Sequence, residues 1–131
     1  MNIAVVDAAT VVDLICNFPA AEPFRGVLAS AGAVAAPAHL DAEVLGALGR
    51  LQRAGQLATA AERVEALAAF PATRWPLRPL LLPAWALIDR IAARDALYVA
   101  LAVSLNAVLI TSDGRLRRGA AGIVNVAEPD G

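Results

Sequence analysis

The 131-residue chain is 59% apolar and close to charge balance, with eleven basic against twelve acidic side chains. That is enough apolar material for the core of one domain, residues 1–131, and too little net charge to attract a polyanion over the whole surface. Every basic residue is Arg, which excludes functions that need a lysine ammonium, and single copies of Cys16 and His39 exclude an internal disulfide, a cysteine zinc cage and a His-rich metal site.

Residues 2–6 are a short continuous apolar run ending at a polar residue, the pattern of a buried first strand in a parallel sheet. The run has no basic region before it, and Asp7 and Asp13 interrupt what would be a signal-peptide core, so a cytoplasmic location is expected. Residues 10–16 read as a helix, and residues 23–30 as a second one that Gly32 stops before a brief strand at 33–36. After Pro37, the positions Leu40, Val44, Ala47, Leu48 and Leu51 recur at three and four, a helical face that Gly55 ends. Residues 59–70 give another amphipathic helix closed by Pro71, residues 73–77 a short strand, and residues 80–90 a helix with Pro83 in its first turn.

The uncharged segment 96–112 approaches the length of a membrane span, but Asn106 divides it. Before Asn106 it reads as the buried helix 94–105, and after it as a strand at 108–110. A short helix at 113–118 and a last strand at 123–126 complete the alternation. Strands alternating with helices imply an α/β fold, a three-layer sandwich around a mostly parallel sheet of four to five strands with right-handed crossovers.

In such a sheet the carboxyl ends of the strands share one edge, outside which ligands bind. Asp7 directly follows the first strand, and Asp113 follows the 108–110 strand within three residues. Glu43 lies in an early turn of the helix after strand two, and Asp95 opens the helix that runs back to feed the 108–110 strand. All four carboxylates therefore fall at one edge. Two like charges about 4 Å apart repel by about 4 kcal/mol at an effective dielectric of about 20, and a cation would relieve that. Magnesium or manganese suits oxygen ligands and retains waters for phosphoryl chemistry.

Each acid also has an ordinary structural explanation. Asp7 can be a turn residue, Asp113 a helix cap, and Asp95 a partner of the helix macrodipole. Glu43 neighbours the apolar face of Leu40, Ala47 and Leu51, where an unpaired carboxylate is costly. Asp13 and Asp41 are expected outside the site, His39 is read as a helix-start residue without a role, and Cys16 as a small buried apolar residue. Trp75, Trp85 and Tyr98 are read as core or dimer contacts. Arg115, Arg117 and Arg118 fit either the phosphates of a ligand or a charged helix end.

Four stretches carry a family pattern: VVDAATVVDL at 5–14, PAHLDAEV at 37–44, ARDALYVALA at 93–102 and LITSDGRL at 109–116. With them the chain resembles the PIN-domain ribonucleases, specifically the VapC-type toxins of bacterial toxin-antitoxin pairs. The resemblance implies a PIN-like α/β/α sandwich and a magnesium- or manganese-dependent endoribonuclease whose acidic quartet maps onto Asp7, Glu43, Asp95 and Asp113. In it, Asp7 and Asp95 would hold the principal metal and the Thr111 hydroxyl would support the site. It further implies a homodimer neutralised by a small antitoxin that inserts a segment, commonly with an Arg, into the acidic groove.

One position departs from the pattern. Ala9 stands where the family usually carries Ser, Thr or Asn, and Thr10 beside it is expected to point elsewhere. A polar contact to Asp7 is therefore expected to be missing. A PIN-like module without catalysis, which binds an antitoxin or RNA, stays open as the alternative. Ala9 also argues against a haloacid-dehalogenase phosphatase, which needs a second aspartate there, and the absence of Lys against a response-regulator receiver. No G-x-G-x-x-G follows a strand, so dinucleotide binding is not indicated.

Overall fold

The computed structural model describes residues 2–128. Its sheet comprises β1 (Ile3–Val6), β2 (Ala33–Pro37), β3 (Thr73–Trp75) and β4 (Val108–Ile110). The strands pair in the order β3-β2-β1-β4, every pair parallel. Ala4, Val5 and Val6 are fully buried, as an unbroken apolar run must be when helices cover both faces of its strand.

The helices are α1 (Ala8–Ile15), α2 (Glu22–Ser30), α3 (Leu40–Arg53), α4 (Ala60–Ala68), α5 (Leu81–Trp85), α6 (Ala93–Leu105) and α7 (Gly114–Ala120). From β1 to β3 the chain steps in one direction across the sheet, then returns past β1 to β4. Right-handed crossovers put α1 to α4 on one face and α5 and α6 on the other, giving the three-layer α/β/α sandwich. The packing agrees: α1, α3 and α4 touch one another, while α6 lies against α5 and the central strands. Because the strand order reverses between β1 and β4, a crevice opens beyond their carboxyl ends.

Asn106 closes α6 in the left-handed conformation, φ 50°, so the uncharged 96–112 segment is a buried helix followed by a core strand. Among the described residues no helix is long and apolar enough to cross a membrane. Two elements differ from expectation. The 80–90 helix is shorter, with one 3-10 turn at Arg78–Leu80, then α5, and only turns at 86–90. The expected 123–126 strand contributes isolated bridges instead, Leu109 with Val126 and Ala121 with Val124. The chain turns at Gly122, φ 84°, and of the segment that follows only Val126 pairs with the three-residue β4.

Candidate functional site

Beyond the carboxyl ends of β1 and β4 lies a cavity of about 420 Å3 lined by Asp7, Asp13, Glu43, Asp95 and Asp113. The four acids expected at this edge thus share one cavity. Asp13 is a fifth, contrary to its expected place outside. Its position follows from α1: Ala9 and Asp13 are four residues apart, share a face, and both line the cavity. Asp41, as expected, lies elsewhere, paired with Arg74 at 3.0 Å.

Asp7 is 4% exposed and caps α1. Its Oδ1 accepts from the Thr10 backbone N–H at 3.1 Å and from the Thr10 hydroxyl at 2.6 Å, and its Oδ2 accepts from the Thr111 hydroxyl at 2.6 Å. The expectation that Thr10 points away is therefore wrong. The hydroxyl absent at Ala9 is supplied one residue later, because the third residue after an N-cap folds back onto the cap. Both threonines are themselves tied down: Ser112 N–H donates to Thr10 Oγ1 at 2.9 Å and Asp113 N–H to Thr111 Oγ1 at 3.0 Å. These bonds weld the start of α1 to the loop after β4. Arg117 adds a donor to the Thr111 carbonyl at 3.1 Å, so this member of the arginine cluster is committed to the loop.

Burial pushes the Asp7 carboxyl up to about 6, against the pull of its hydrogen bonds, with the Asp113 charge as a smaller push in the same direction. Asp95 is raised by burial first, then by the charges of Asp113 and Glu43. Asp13 is raised by burial, which the Ser112 hydroxyl, 3.1 Å from its Oδ2, partly opposes.

Glu43 sits in the first turn of α3 and is joined to α6 by residues that carried no functional assignment in the sequence. Tyr98 donates its hydroxyl to Glu43 Oε1 at 2.7 Å, and His39 Nε2 lies 3.3 Å from the same oxygen. Arg94 Nε approaches Glu43 Oε2 at 3.7 Å, an ion pair too long for a hydrogen bond. Burial and the Glu43 carboxylate push the Tyr98 phenol far above its ordinary value, so it remains a donor. Asp113 caps α7, its Oδ1 accepting from Arg115 N–H at 2.9 Å.

Counting lone pairs tests whether a cation fits. Asp7 Oδ2, Glu43 Oε2 and Asp113 Oδ2 each keep accepting capacity after these bonds. The donors are all oxygen, which suits magnesium or manganese rather than a soft metal. Among the described residues no three carboxylate, imidazole or thiol groups stand close enough to form a ready cage. An open acidic cavity of this kind fits an ion that keeps several of its waters between itself and the carboxylates. The plain structural roles hold too, since Asp7 and Asp113 do cap helices, but capping uses only part of each carboxylate.

A model of the PIN domain matches residues 4–122. The chain belongs to the PIN-domain family. Among its PIN-domain relatives, Ribonuclease VapC3 of Mycobacterium tuberculosis is 47% identical over 117 residues, covering 87% of this chain and 85% of that protein. Ribonuclease VapC12 of the same organism is 40% identical over 119 residues, with 86% and 88% covered. The fold matches the structure of VapBC2 from Rickettsia felis bound to a DNA fragment from its promoter, with TM-score 0.70, 15% identity, and 98% and 99% of the chains covered. A toxin-antitoxin complex from Klebsiella pneumoniae shares the fold at TM-score 0.65 and 19% identity, with 96% and 97% covered.

Proposed function

We propose that this PIN-domain protein is a magnesium- or manganese-dependent endoribonuclease, the toxin of a toxin-antitoxin pair. The observation that carries the reading is the gathering of Asp7, Glu43, Asp95 and Asp113 around one cavity, in a chain 47% identical to a protein named as a ribonuclease. When bound, the divalent cation supplies Lewis-acid polarisation of the phosphodiester and acidifies the attacking water. Asp7, Glu43, Asp95 and Asp113 would hold it. Thr10 and Thr111 fix the Asp7 carboxylate from both sides, so the oxygen that faces the cavity does not rotate away.

Asp13 lines the cavity without being one of these four and holds a proton more readily than an ordinary aspartate, so it can take the proton that the attacking water loses. Arg50 and Arg94 line the same cavity and offer guanidinium groups to RNA phosphates that would otherwise meet only acids. The resemblance to VapC-type toxins supports a small antitoxin as partner, with an arginine seated among the carboxylates, and a homodimer as the working form. The Thr10 contact to Asp7 supports the enzymatic reading over a catalytically empty module, the alternative that Ala9 kept open.

The test is cleavage of a structured RNA in magnesium or manganese. Activity should vanish with a chelator and fall at least about 100-fold in Asp7→Asn and in Asp95→Asn. Cleavage by either variant at the wild-type rate would overturn the assignment.

A further inference from the structure

Glu43 and Asp95 stand on different helices, and neither helix alone fixes one carboxylate against the other. Two rings make the connection, Tyr98 fully buried and His39 partly so. Tyr98 is fully buried and lies three residues after Asp95 on α6, so both side chains belong to one side of the helix. Its hydroxyl crosses to α3 and donates to Glu43 Oε1 at 2.7 Å. In the other direction, His39 at the start of α3 places Nε2 2.9 Å from the Arg94 carbonyl, in the first turn of α6. A carbonyl only accepts, so Nε2 carries the ring proton. Nδ1 is buried and without a partner among the described residues. The two rings pack together with centroids 4.8 Å apart.

The result is a closed loop: His39 to the Arg94 carbonyl, along α6 to Tyr98, across to Glu43, and back through one turn of α3 to His39. Tyr98 reaches the wall of the acidic cavity, whereas His39 stands behind it and meets the cavity only through Glu43. We propose that Tyr98 and His39 are positioning residues, which pin Glu43 Oε1 so that Oε2 meets the cavity at a fixed place relative to Asp95 and thereby set the affinity of the site for a divalent cation. This rests on the metal reading given above. A tyrosine that merely fills the core would need only its ring, whereas the positioning role needs the hydroxyl.

Manganese binding without RNA separates the two, read from the paramagnetic resonance signal of free manganese in a titration of the whole protein. Tyr98→Phe keeps the ring and should bind manganese about 10- to 100-fold more weakly, with a nearly unchanged melting temperature. His39→Ala should weaken binding as well, and His39→Gln, which keeps an amide donor near the Nε2 position, should recover most of it. Wild-type affinity in both Tyr98→Phe and His39→Ala would overturn the proposal while leaving the metal site standing. If the wild-type protein takes up no manganese, the metal reading itself falls and the positioning role falls with it.

Discussion

Asp7 is held in its place at a cost. A carboxyl raised from 3.8 to about 6 is worth about 3 kcal/mol between its two protonation states, because burial outweighs three hydrogen bonds. With the folded-state pKa above the unfolded value, the contribution to stability is complete below about pH 3.8 and is lost as pH rises through about 6. Metal-free protein should therefore lose up to about 3 kcal/mol through this residue across that window, and Asp7→Asn should show a flatter profile. Magnesium should restore stability at neutral pH to the wild type and not to the variant. Urea unfolding at a series of pH values, with and without magnesium, checks this; parallel profiles for the two proteins would refute it. The Asp7 carboxylate itself was legible from its place after an apolar run. Its partner Thr10 was legible only through capping geometry, since spacing alone suggested that the side chain turns away. Tyr98 and His39 each meet partners 55 residues distant, and no local pattern announces such a meeting.

At the scale of elements, one arginine does what no periodicity predicts. Arg74 of β3 donates to both oxygens of Asp41 on α3, at 3.2 and 3.0 Å, and to the carbonyls of Leu67, Phe70 and Ala72 at 2.7–2.8 Å. This fastens the end of α4 and the loop after it to α3. Arg74→Met keeps much of the aliphatic volume but leaves three carbonyls and a carboxylate without their donor, so unfolding in urea should show a loss of about 2–3 kcal/mol. A loss below about 0.5 kcal/mol would mean that water replaces the guanidinium at little cost. The same scale explains which elements could be read in advance. β1, β4, α3 and α6 are buried runs or faces whose pattern is set by the core. The 123–126 segment looks equally apolar, yet pairing depends on how much free edge its neighbour offers, which the segment does not encode. The 80–90 segment likewise has helical composition, but little of it faces the core: Leu81, Leu82, Trp85 and Ala86 are exposed, and the helix stops after Trp85.

Across the whole molecule, the densest group of exposed apolar side chains stands on α5, which contributes nothing to the lining of the acidic cavity. The cavity lies beyond β1 and β4, whereas Leu81, Leu82 and Trp85 on α5 are 55%, 81% and 68% exposed. Three large apolar side chains open to water on one short helix cost more than scattered exposure does, and a second copy of the chain would cover them. Such a pairing also suits the proposed function, since it leaves both acidic cavities open to RNA. A stable pair buries about 800 Å2 on each partner, more than α5 alone offers, so the neighbouring surface of α6 near Leu97 should join it. Light scattering at micromolar concentration should give the mass of two chains. The double variant Leu82→Glu, Trp85→Glu places four like charges in the shared face and should give the mass of one, with the circular dichroism of the wild type. A single-chain mass for the wild-type protein would refute the homodimer, and an unchanged two-chain mass for the variant would place the contact on another face of the sandwich.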